Sequence, residues 1–76
     1  MSKPDIRRPG LHLQDLQHGA WTDSMVGACT LREMRAQMNY IDAGHPNRPQ
    51  RIVDDAGNVL AENKTARQIR SRSAQE

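Results

Sequence analysis

One segment limits what the rest of this chain can become. Thr30 to Gly44, TLREMRAQMNYIDAG, places Leu31, Met34, Met38 and Ile41 at steps of three, four and three residues. Residues at those steps share one side of an α-helix, so the segment predicts an amphipathic helix over about 31–43. Thr30 and Glu33 have the S/T-x-x-E form of a capping box, in which each side chain satisfies a backbone N–H at the helix start. Gly44 suits the left-handed position that ends a helix. Pro46 and Pro49 bar its continuation, because proline lacks the amide hydrogen and restricts the residue before it.

A helix with one apolar stripe needs cover, and the chain has little to cover it with. Phe is absent, and Trp21 and Tyr40 are the only aromatic residues among 76. Leu, Ile, Val and Phe together fall below the roughly 20% of a comfortable globular sequence. A single core in so short a chain leaves only a few kcal/mol of net stability. The net charge of +2 keeps the chain out of the highly charged disordered class. A marginal domain that pairs with itself as a homodimer, or with a partner, is the expectation. The stripe Leu31, Met34, Met38 and Ile41, with Trp21, is assigned to that core or dimer core.

The best cover for the helix lies downstream. In RIVDDAGNVLAE, Ile52-Val53 and Val59-Leu60 flank a turn-rich centre. A three-residue loop, Asp55-Ala56-Gly57, with Gly57 left-handed, would pair Val53 with Val59 and Ile52 with Leu60. An isolated hairpin is marginal, so a third strand would help. LHLQDL, residues 11–16, alternates like a strand at its start, yet Leu13 and Leu16 are a helical step apart. TDSMVGACT either begins a helix at Thr22 or stays irregular, and Gly27 weakens the helical option. Thr65 and Gln68 form a second capping box for a short C-terminal helix, with Ala66 and Ile69 inward. The expected class is α+β: a small two- or three-stranded antiparallel sheet (hairpin about 51–62, third strand about 11–16) on one main helix, with a short C-terminal helix. Residues 1–10 read as a flexible arm, 11–70 as the domain and 71–76 as a frayed tail.

Several chemistries find little support. Cys29 is the single cysteine, which excludes an intrachain disulfide and points to a reducing compartment. No run approaches the roughly 18 apolar residues of a membrane span. The basic start, MSKPDIRRPG, lacks the apolar stretch of a secretory signal, so a cytoplasmic location without membrane contact is expected. His12, His18, His45 and Cys29 fall at irregular gaps rather than the tight pairs of a zinc site. No metal or cofactor is expected. No glycine-rich phosphate loop is present, and the adjacent Asp54 and Asp55 suit a turn better than acid–base chemistry. The chain therefore reads as a non-enzymatic protein.

Charge narrows the partner. Lys3, Arg7 and Arg8 make the start basic, and Lys64, Arg67, Arg70 and Arg72 make the end basic. Asp54, Asp55 and Glu62 make the hairpin acidic, which repels phosphate and argues against a ribbon that reads DNA. The leading expectation is a small interaction protein that binds and modulates, or sterically inhibits, another macromolecule. Its size and economy suit an accessory protein of a phage or mobile element acting on a host complex. Arg32, Arg35, Tyr40, Arg67, Arg70 and Arg72 are the candidate contacts if the partner is acidic. Asp54 and Asp55, with Asp42 and Glu62, are the candidates if it is basic. The alternative is a small DNA- or RNA-binding regulator using the basic C-terminal segment, whose arginines would neutralise phosphates.

Overall fold

The computed structural model describes residues 8–75, with side chains described for 9–71. Six elements follow in chain order: β1 (Arg8–Gln17), β2 (Ala20–Cys29), α1 (Leu31–Gly44), β3 (Gln50–Val53), β4 (Val59–Glu62) and α2 (Lys64–Gln75). The strands form one antiparallel sheet in the order β2-β1-β3-β4. This is the expected α+β class with its main helix and short C-terminal helix, and the sheet has four strands rather than two or three. β1 begins at Arg8, within the stretch read as an arm; residues 1–7 lie outside the described residues. α2 runs to Gln75, through most of the stretch read as a tail.

The additional strand is β2. His18 and Gly19 both have positive φ, 50° and 81°. A two-residue turn of that handedness matches the twist of paired strands and folds the chain back on itself. Gln17 then faces Ala20, and the pairing continues through Leu13 and Met25 to Arg8 and Cys29. Ser24 is an extra residue in this ladder, since Gln14 faces Asp23 and Leu13 faces Met25. The bulge shifts β2 out of period two. A segment that looked helical or irregular is thereby a ten-residue strand.

α1 has the predicted start. Thr30 Oγ1 accepts the Glu33 N–H at 3.0 Å, and Glu33 Oε1 accepts the Thr30 N–H at 2.9 Å. Its end differs from expectation. Gly44 stays within the helix, and the cap is His45 at φ −140°, whose N–H donates to the Ile41 carbonyl. Pro46 explains this, because a residue before proline is driven out of the helical region.

The hairpin loop also forms as expected in part. Gly57 is left-handed at φ 87°, and Val53 faces Val59. Asp54 accepts the N–H groups of Ala56 and Asn58 and so holds the loop. Ile52, however, faces Ala61 rather than Leu60, because the register slips by one residue after Val53. The slip leaves Leu60 as the additional residue, and Leu60 still packs on the core.

α2 is capped by Asn63 rather than by Thr65. Asn63 Oδ1 accepts from the Ala66 and Gln50 N–H groups, at 2.9 and 3.0 Å. Its Nδ2 donates to Asp42 Oδ1 and to the Arg48 carbonyl. One buried side chain thus ties α2 to β3, to α1 and to the loop between them. Thr65 instead donates to the Pro46 carbonyl at 3.1 Å.

The core lies between α1 and one face of the sheet. Leu11 and Leu13 of β1 and Ile52 of β3 are fully buried against Met34 and Met38. Leu31 and Ile41 are half-buried and pack on this cluster, so the whole stripe of α1 contributes to it. Trp21 lies outside the cluster. The same face turns polar towards one end, where Asp15 and Gln50 face each other and are both buried. Asp15 accepts from Gln17 Nε2 at 2.9 Å and from the Thr22 hydroxyl at 3.3 Å, and Arg48 lies 3.7 Å away.

Candidate functional site: a polar network on the far face of the sheet

β1 sends alternate residues to opposite faces. Leu11 and Leu13 point to α1, so His12, Gln14 and Leu16 share the far face. The strand register adds Val26, Asp23 and Trp21 from β2, and Val53 and Arg51 from β3. Glu62 of β4 faces Arg51 and Val59 faces Val53.

These side chains form a continuous run of contacts across three strands. The Arg51 guanidinium lies 4.3 Å from the centre of the Trp21 ring. This is cation–π distance, at which the cation is drawn to the negative face of the indole. Arg51 Nε donates to Gln14 Oε1 at 2.8 Å, and Gln14 Nε2 donates to Asp23 Oδ1 at 2.9 Å. The other oxygen of Asp23 meets His12 Nδ1 at 3.1 Å, and His12 Nε2 meets Asp55 Oδ1 at 2.9 Å. Both ring nitrogens of His12 therefore face carboxylates. A carboxylate only accepts, so both contacts are fully hydrogen-bonded when the ring is the doubly protonated imidazolium. The pKa of His12 is raised accordingly, first by the bond to Asp55 and then by that to Asp23. The pKa of Asp23 is lowered, first by the Gln14 bond and then by His12.

Gly10 makes room for this arrangement. Its φ is 72°, and a Cβ at this position would meet the Asp55 carboxylate. The glycine thus admits the hairpin loop over the start of β1, where Asp55 reaches His12. At the other end of the face, Arg70 Nη2 pairs with Glu62 Oε1 at 2.9 Å.

The residues predicted as contacts are not gathered in one place. Asp55 belongs to the network, with its side chain 70% exposed. Asp54 is folded back into its own turn. Arg32, Arg35 and Tyr40 are exposed on α1, and Tyr40 is 80% exposed. Tyr40 also borders a cleft of about 560 Å³ with Ile41, His45, Arg48 and Gln50. Arg67 and Arg70 are exposed on α2, and the side chain of Arg72 lies outside the described residues. His12, Gln14, Asp23 and Arg51 were missed as site residues. For His12 and Gln14 the only sequence signal is the alternation in LHLQ, which puts a polar residue after each leucine; Asp23 and Arg51 have none. The Trp21–Arg51 contact spans thirty positions and leaves no local trace.

Among the described residues, no group of three or more His, Cys, Asp or Glu is placed to hold a metal ion. Asp23 and Asp55 sit on opposite nitrogens of one ring and therefore diverge. No described helix is long and apolar enough to cross a membrane. Comparison with known proteins gives no match among family models, curated proteins or solved structures.

Proposed function

We propose that this chain is a small non-enzymatic interaction protein that binds another protein through the far face of its sheet and blocks or modulates it sterically. The Trp21–Arg51 stack carries the reading. Tryptophan and arginine dominate the energetics of protein interfaces, because each combines a large flat surface with directed polarity. Here Gln14 holds the arginine in place, so little side-chain freedom is lost on contact.

The charges around the stack support a basic partner surface. Asp55 and Asp23 are the outer groups, with side chains 70% and 43% exposed, whereas His12 is at 22%. Outward carboxylates attract lysine and arginine and repel phosphate. Of the acidic candidate contacts this favours Asp55, since Asp54 is folded into its turn, Asp42 accepts from Asn63 and Glu62 is paired with Arg70, and it favours a protein over a nucleic acid.

The test is affinity capture from the cells that make this chain, with Trp21→Ala and Arg51→Ala beside the parent. A captured protein should be lost by roughly thirtyfold in affinity with either variant. Equal capture by both variants would remove the reading. Steeply salt-dependent DNA binding that flattens with Arg67→Ala and Arg70→Ala would replace it with the nucleic-acid alternative.

A further inference from the structure

The sheet has two edges, and they are finished differently. β4 is four residues long, its register slips at Leu60, and α2 packs along it and β3. Glu62 on it is held by Arg70. Short length, irregularity and cover are the usual ways in which an edge is kept from pairing further. β2 is ten residues long, with seven exposed and Trp21, Gly27 and Cys29 half-buried. It contains no lysine, arginine or proline. Its one charge, Asp23, is turned onto the far face and bound by Gln14 and His12. Among the described residues, β2 pairs with β1 alone.

β2 also exposes apolar side chains on both faces. Met25 lies on the helix face and is 38% exposed, since α1 packs over β1 and β3. Val26 lies on the far face and is 55% exposed. A helix or loop laid on either face would cover one of them and leave the other wet. A strand added at the edge sets cross-strand neighbours beside both.

We infer that the outer edge of β2 at Met25-Val26-Gly27 pairs antiparallel with the same stretch of a second copy of this chain, joining the two sheets into one. The stretch after the bulge, Met25-Val26-Gly27, is uncharged, so two copies meet without like charges opposed. A two-fold axis perpendicular to the sheet relates such strands. It leaves both α1 helices on one side and both Trp21–Arg51 stacks on the other, on one continuous surface. The chain's small core supplies the motive, because pairing buries apolar surface that the single chain leaves exposed.

Sedimentation equilibrium from low micromolar to submillimolar concentration tests this. The parent chain should pass from monomer to a closed dimer. Met25→Lys and Val26→Lys, on opposite faces of the same strand, should each weaken the dimer by at least about tenfold, because each sets a charge in the new seam. Both positions are exposed, and circular dichroism of each variant checks that the fold persists. Val59→Lys, 45% exposed on β4 at the opposite edge of the sheet, should leave the dimer unchanged. A parent chain that stays monomeric throughout overturns the inference. So does a dimer that Met25→Lys or Val26→Lys leaves intact, or one that Val59→Lys disrupts.

Discussion

On β1, Leu11 and Leu13 are buried beneath α1, while His12 and Gln14 stand on the far face in a run of polar contacts. The same ten residues thus build two surfaces from opposite materials. The helix face gains from removing apolar area from water, which requires no geometry beyond close packing. The far face gains little stability, because its charges are partly solvated and exposed ion pairs are worth about 0–1 kcal/mol. What it has is order: each side chain is fixed by the next. A surface that is ordered without being needed for the fold is suited to contact.

The sharpest way to break this contrast is to mutate neighbours on one strand. Leu13→Ala should cost about 2–5 kcal/mol in denaturant unfolding, enough to unfold much of a small domain. Gln14→Ala should cost about 1 kcal/mol, the worth of a partly solvated pair of bonds. Similar losses at the two positions would erase the distinction between the faces.

Asn63→Ala comes next, at about 2–4 kcal/mol, since it orphans the buried Gln50 and Ala66 N–H groups and removes two donated bonds. It asks whether the polar end of the molecule, unlike the far face, serves the fold. A loss under about 1 kcal/mol would show that it does not.

The capping box and the α1 stripe were legible in the sequence because their physics is local. Thr30 meets Glu33 three residues away, and Met34 meets Met38 on the next turn. The left-handed Gly57 was legible for the same reason. β2 was not, because the bulge at Ser24 breaks its alternation: Trp21 and Asp23 lie on the far face, yet the next residue there is Val26. The Asn63 cap was hidden behind the Thr65–Gln68 pattern, since its advantage comes from Gln50, Asp42 and Arg48, which only the fold brings near. The far-face network was invisible for the strongest form of that reason. Its members come from three strands and a turn, and no segment holds more than two.

Gly10→Ala is a smaller probe, aimed at the far face alone. A non-glycine residue at positive φ costs about 1–2 kcal/mol. The added methyl should also move the Asp55 carboxylate off His12. The His12 titration, followed by NMR, should then fall back towards its ordinary value of 6.5. An unchanged titration would mean that Asp55 is not what raises it.

The smallest effect is that of pH. The raised His12 pKa contributes stability that is complete below 6.5 and is lost as pH rises through the folded value. The lowered Asp23 pKa contributes stability present above 3.8 and lost as pH falls through its folded value. Melting temperature should therefore carry a shallow contribution from this face that is greatest between those limits. Asp55→Asn should reduce the decline on the alkaline side. A pH profile identical to that of the parent would show that the network is not coupled to folding.

Trp21 is the single tryptophan, so the far face carries its own reporter. The most direct measurement replaces it with 5-fluorotryptophan and follows the fluorine resonance as the captured partner protein is added. A shifted resonance that saturates with the binding isotherm is expected, with no shift for an Arg51→Ala chain at the same concentrations. A partner that binds the parent chain fully while the resonance stays in place would contradict it, and would move the contact surface to α1 or α2.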